Sequence, residues 1–123
     1  MNSVELEKAL LGCLIKDSEY IDSVKQWIPD KEFFYSSFNQ KVWVSIDSLY
    51  TRGQDIDLNT VCEEVGSAKD GYHSQYEITG FLDKVTSASK AIVYARKLHS
   101  YYLRRILDNQ MHLISNNIND GSL

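Results

Sequence analysis

The stretch SASKAIVYARKLHSYYLRRILDNQMHLISN, Ser87 to Asn116, contains neither proline nor glycine. So long a span without a breaker predicts one helix of about 25 to 30 residues, well above the ~11 to 12 residue mean of globular helices. Its apolar residues do not form one seam. Ile92, Ala95, His99, Tyr102, Ile106 and Leu113 follow near-heptad spacing, while Leu103, Leu107, Met111 and Ile114 form a neighbouring row. The combined arc is wider than one packing neighbour covers. The helix also overruns the length that a small domain can back, so its distal half is expected to pack on another chain. The competing reading is a helix buried deep in its own domain.

Upstream, the same 3.6-residue period recurs in shorter pieces. Leu6, Ala9, Leu10, Cys13 and Leu14 make an apolar stripe, Asn2 and Glu5 have capping-box spacing, and Gly12 inside the helix implies that another backbone packs closely there. A short helix follows with Ser18 as expected N-cap and Tyr20, Ile21, Val24 and Trp27 on one face, ended by Pro29. Phe33, Phe34 and Tyr35 are adjacent and cannot share one stripe, which suggests a helical turn wedged into the core. Ser36 or Ser37 then caps a helix bearing Val42, Ile46, Leu49 and Tyr50, widened by Phe38 and Trp43 and closed by Gly53. Asp57 caps the next, with Leu58, Val61, Cys62 and Val65 inward. Residues 66–75, GSAKDGYHSQ, read as a polar loop, and Ile78, Phe81, Leu82 and Val85 mark a short helix after it.

At 123 residues, 43% hydrophobic and 24% charged, with one proline and six glycines, the chain fits one all-α domain and lacks the signature of a disordered chain. The expected organisation is a compact helical head at 1–87, a long helix at 88–117 and a disordered tail at 118–123. No stretch has the ~18 apolar residues of a membrane span, and Glu5, Glu7 and Lys8 stand where a signal peptide would be apolar. A soluble, cytoplasmic protein without a membrane partner is the expectation. Cys13 and Cys62 lack any framework spacing and read as small buried hydrophobes rather than a disulfide.

The net charge of −4 is unevenly spread. Residues 1–83 carry seven basic and fifteen acidic side chains, whereas 84–107 carry six basic and none acidic. The basic segment is expected either to meet an acidic surface or to be a solvated helix face. Catalytic patterns fail on their details. Gly66 to Gly71 has phosphate-loop spacing, but Tyr72 and His73 stand where Lys and Ser/Thr must be. Asp55, Asp57 and Asn59 open like a calcium loop, but Thr60 and Gly66 occupy the positions needing Gly and a bidentate Glu. His73, His99 and His112 have no zinc spacing. Neither a catalytic residue, nor a cofactor, nor a metal is expected in this chain.

Three segments in order carry a resemblance. ELEKALLGCLIKD at 5–17 is similar to an opening E-x-E-x-A-x-L-G-x-L-L-x-D helix. The run DKEFFYSSFNQKVWVSIDSLYTRGQDIDLNTVCEEV at 30–65 is similar to D-F-Y, then H-x-x-I-F, then L-x-x-x-G-x-x-I-D-x-x-T-V. TSASKAIVYARKLHSYYLRRIL at 86–107 is similar to T-x-S-A-x-N-x-x-x-Y-A-x-I-V-x-x-x-x-x-L-R-x-L. Together they resemble the N-terminal domain of the DnaB-type replicative DNA helicase. The sequence departs from that pattern at Asn39, where His is usual, near Lys90, where Asn is usual, and in the 66–75 loop.

The resemblance implies a helical head followed by the first helix of a hairpin, which in this family makes dimers that build a collar on a hexameric ring. It implies that ATP and magnesium belong to a RecA-like motor outside this chain, and that DNA is met through the full-length ring. It also implies docking of the primase C-terminal domain and, in some lineages, a helicase loader. The residues expected to make protein contacts are Ile106, Leu107, Met111 and Ile114 as the apolar part and Tyr101, Tyr102, Arg104 and Arg105 as the polar and aromatic part. The alternative is single-stranded nucleic-acid binding through Lys90, Arg96, Lys97, Arg104 and Arg105 with interleaved aromatics, set against a pI near 5.3.

Overall fold

The computed structural model describes residues 1–66 and 71–119. Six α-helices run in the order α1 (Ser3–Lys16), α2 (Ile21–Lys25), α3 (Ser37–Thr51), α4 (Leu58–Val65), α5 (Gly71–Asp83) and α6 (Ala91–Asn119), with no strand among the described residues. Short 3₁₀ turns at Ser18–Tyr20, Lys31–Phe33 and Ala88–Lys90 join them. The predicted all-α class is the observed one.

The first helix is central rather than one-sided. Beyond the predicted stripe, Leu11, Gly12 and Ile15 are also buried, because α5 and α6 flank α1 while α3 and α4 close its other side. A helix covered nearly all round belongs to a core. Gly12 is the point of closest approach, facing the Phe81 backbone of α5.

Local chemistry explains most boundaries. Asn2 accepts from Glu5 N at 2.8 Å, and its amide donates to the Glu5 carboxylate at 3.2 Å, so the expected capping box closes through the two side chains. Ser36 caps α3 through Asn39 N. Gly53, at φ +68, ends that helix in a Schellman motif, with Gly53 N donating to Tyr50 O at 3.0 Å and Gln54 N to Leu49 O at 2.9 Å. Asp57 and Thr60 form a reciprocal capping box at the start of α4.

Four expectations need correction. The turn at residue 18 is capped by Asp17, whose carboxylate accepts from Glu19 N at 3.1 Å. Trp27 lies past the end of α2 and is 36% exposed, since the chain leaves the helical phase that would have turned it inward. The expected loop at 66–75 is helical from Gly71, because Ser74, Ile78 and Phe81 already form a buried stripe and the polar residues between them face out; residues 67–70 lie outside the described set. The α6 helix starts at Ala91, after a 3₁₀ turn capped by Ser87. It runs through Asn119, past the expected end at 117, and 120–123 of the expected tail lie outside the described residues.

Candidate interaction surface on the long helix

The α6 helix divides near Tyr102. Its first part packs through Ala91, Ala95 and Leu98, all fully buried, with Tyr94 and Tyr102 partly buried against the same core. This stripe differs from the predicted seam: Ala91 and Leu98 join Ala95, and Leu113 of the predicted seam is exposed. Leu98 was concealed by the His99 and Tyr102 register, in which two large polar-tipped rings suggested the inward direction.

Beyond Tyr102, Arg105 and Ile106 still touch the head, and the rest of the helix that follows is exposed among the described residues. Leu103, Leu107, Met111, Leu113 and Ile114 are 52–61% exposed. Ile106 and Arg105 are half-buried at the edge of the head, and Arg104 is exposed. The predicted second row is therefore an open apolar face, and the deeply buried alternative for this helix does not hold. Leu103, Leu107, Met111 and Ile114 recur at three- and four-residue spacing, so their exposed apolar side chains lie along one side of the helix.

The polar half of the predicted set is split differently. Tyr102 packs its ring 4.0 Å, centroid to centroid, from Phe33. His99 stacks on Phe33 at 5.4 Å and meets the Trp27 ring edge-on at 5.6 Å. Its Nδ1 lies 2.8 Å from the Trp27 carbonyl oxygen, and since a carbonyl only accepts, that nitrogen carries the proton. Arg96 covers the Trp27 ring at 5.6 Å. Arg105 lies 5.5 Å from both the Tyr35 and Tyr102 centroids and donates to Glu32 O at 3.4 Å. Tyr101 donates to Met1 O at 3.5 Å and remains 37% exposed.

Tyr102 and Arg105 thus join α6 to the 28–35 link of the same chain, leaving Tyr101 and Arg104 as the outward polar pair. Arg96 lies over one face of Trp27 and Arg105 over one face of Tyr35, residues that stay 36% and 67% exposed, while Tyr102 lies between Phe33 and Arg105.

Sequence reasoning missed Glu7. Its carboxylate is fully buried and accepts from Tyr35 N at 2.7 Å, Ser36 N at 3.3 Å, Asn39 Nδ2 at 3.0 Å and Ser3 Oγ at 3.2 Å. It pins the segment between Phe34 and α3, and thereby Phe33 and Tyr35, beneath α6. The signal available was a Glu amid an apolar helix, which alternation alone assigns to solvent. Among the described residues no cluster of His, Cys, Asp and Glu could hold a metal ion, and no helix is long and apolar enough to cross a membrane.

The arrangement is that of a helicase N-terminal domain. It superposes on the crystal structure of the N-terminal domain of DnaB helicase from Mycobacterium tuberculosis with a TM-score of 0.79, over 90% of this chain and 82% of that one, at 23% identity. Residues 1–100 match the DnaB-like helicase N terminal domain, and the chain belongs to that family. It is also similar to the replicative DNA helicase DnaB of Rhodothermus marinus, 31% identical over 110 residues and 86% of this chain. The chain spans 11% of that relative's length.

Proposed function

We propose that this chain is the collar domain of a replicative helicase, pairing with a second copy through the distal half of α6 and docking other replication proteins on the surface so formed. The observation that carries this reading is the uncovered row Leu103, Leu107, Met111 and Ile114. Fully burying one such side chain stabilises by about 1.5–3 kcal/mol, so the row offers several kcal/mol toward association. The collar would build on a hexameric ring whose motor holds ATP and magnesium and meets DNA. The primase C-terminal domain, and a loader where one exists, would be met by Tyr101 and Arg104, the outward polar pair beside the apolar row.

Light scattering on a size-exclusion column tests the pairing. A dimer or larger assembly is expected for the chain itself, and a monomer for Leu107→Asp combined with Met111→Asp, with unchanged helicity. A wild-type monomer across micromolar concentrations sinks the reading. Addition of the matching primase C-terminal domain should shift the peak, and Tyr101→Ala with Arg104→Glu should abolish the shift. Retention of a single-stranded oligonucleotide that collapses between ~50 and ~200 mM salt, without any dimer, favours nucleic-acid binding instead.

A further inference from the structure

A second open surface is set mainly on α3, α4 and α5. Between α3, α4 and α5 runs a groove of about 740 Å³, bordered by Phe38, Lys41 and Val44 of α3, Val65 of α4, and Lys31 of the preceding turn. Val44 is 48% exposed in the middle of α3, whose inward positions are already held by Val42, Trp43, Ile46 and Leu49. Among the described residues the groove is apolar at Phe38, Val44 and Val65 and polar at Gln40, Ser45 and Ser74, with Phe38 also meeting the core at Phe81.

Its charge runs against that of the chain. Glu64, the acidic group on the wall, is held by Arg52 at 2.6 Å and by Ser48 at 3.4 Å. Lys31 and Lys41 make no ion pair among the described residues. A chain of net charge −4 thus presents a local positive rim over an apolar floor. The walls are helices whose backbone groups bond internally, so the groove offers no edge to an added strand and suits a helix laid in by its side chains.

We infer that this groove docks an acidic amphipathic helix of a partner protein, with apolar anchors at helical spacing on Phe38, Val44 and Val65 and carboxylates between Lys31 and Lys41. Apart from Lys31, whose turn packs on α6 through Phe33 and Glu32, the groove is built from residues of α3, α4 and α5 and shares none with the α6 row.

The test uses the whole chain and a panel of fluorescein-labelled peptides, each with paired leucine and phenylalanine at i, i+4 spacing among aspartates and glutamates. A second panel replaces the acidic residues with lysine. Anisotropy should show binding of acidic peptides and none of basic ones. Lys31→Glu with Lys41→Glu, and separately Val44→Asp, should each weaken binding at least tenfold while circular dichroism and the α6-dependent oligomeric state stay unchanged. Equal binding of both panels, no binding of either, or affinity untouched by these variants overturns the inference. So does a single-stranded oligonucleotide bound through the same lysines, or a change of oligomeric state in Val44→Asp, which would make the trough a face between copies.

Discussion

Gly12 and Phe81 meet so closely that a β-carbon on the glycine would lie 2.5 Å from the Phe81 carbonyl oxygen and 2.7 Å from a Val85 methyl. The oxygen is backbone within α5 and cannot rotate aside, so any side chain at 12 must push α5 away from α1. Gly12→Ala gains about 1 kcal/mol of helix propensity, but overpacking costs about 1–3 kcal/mol. The net expectation is a lower urea midpoint with an unchanged slope. A raised midpoint would mean that α1 and α5 separate more easily than their spacing indicates.

Glu7 is expected to matter more for stability than any surface ion pair of this chain. Its carboxylate is fully buried and satisfies two backbone N–H groups and the Asn39 amide. Glu7→Ala leaves those donors unpaired, at about 1–3 kcal/mol for each buried group that water cannot reach. By contrast, Arg52→Ala removes an exposed pair with Glu64, worth about 0–1 kcal/mol. Chemical denaturation of both variants should rank them in that order. Asn39→Asp, which would set a second carboxylate against the first, should also unfold more readily than wild type.

These two features show what the sequence discloses and what it conceals. Periodicity and caps located α1, α3 and α4, each an apolar stripe bounded by Asn2, Ser36 or Asp57, and the long run without proline or glycine located α6. Gly12 announced close packing by its cost inside a helix. Glu7 showed only as a charge amid apolar residues, since its role depends on backbone donors 28 and 29 residues away. The open apolar row on α6 was legible from spacing alone. The capture of Tyr102 and Arg105 by Phe33 and Tyr35 was not, because it depends on where an irregular link of the chain lies in space.

The two tryptophans should separate cleanly. Trp43 is 2% exposed and lies 5.6 Å from Phe34 within the core. Trp43→Ala should cost about 3–5 kcal/mol. Trp27 is 36% exposed and contributes an edge contact to His99 and a face to Arg96. Contacts of that kind are each worth about 0.5–1.5 kcal/mol, so Trp27→Ala should cost about 1–3 kcal/mol, less than Trp43→Ala. Fluorescence of the two single-tryptophan variants checks the placement independently: emission from Trp43 should be blue-shifted and shielded from iodide, and that from Trp27 quenched.

The cysteines supply a pH-dependent probe of the same core. Burial pushes the Cys13 thiol up to about 11 from an ordinary 9.0, against a weaker downward pull from Lys16 and then Lys90. Its Sγ–H donates to the Ser87 carbonyl at 3.9 Å, tying α1 to the approach of α6. An acid whose folded value lies above its unfolded one adds stability that is complete below about pH 9 and is lost as pH rises toward about 11. Burial raises the half-exposed Cys62 as well. Since the thiolate is the reactive form, a disulfide reagent at pH 8 should label Cys62 first. Cys13 should react only as fast as the domain opens, and Cys13→Ser should remove the slow phase. Simultaneous labelling of both thiols in folded protein would show that α1 is not the closed centre of the head.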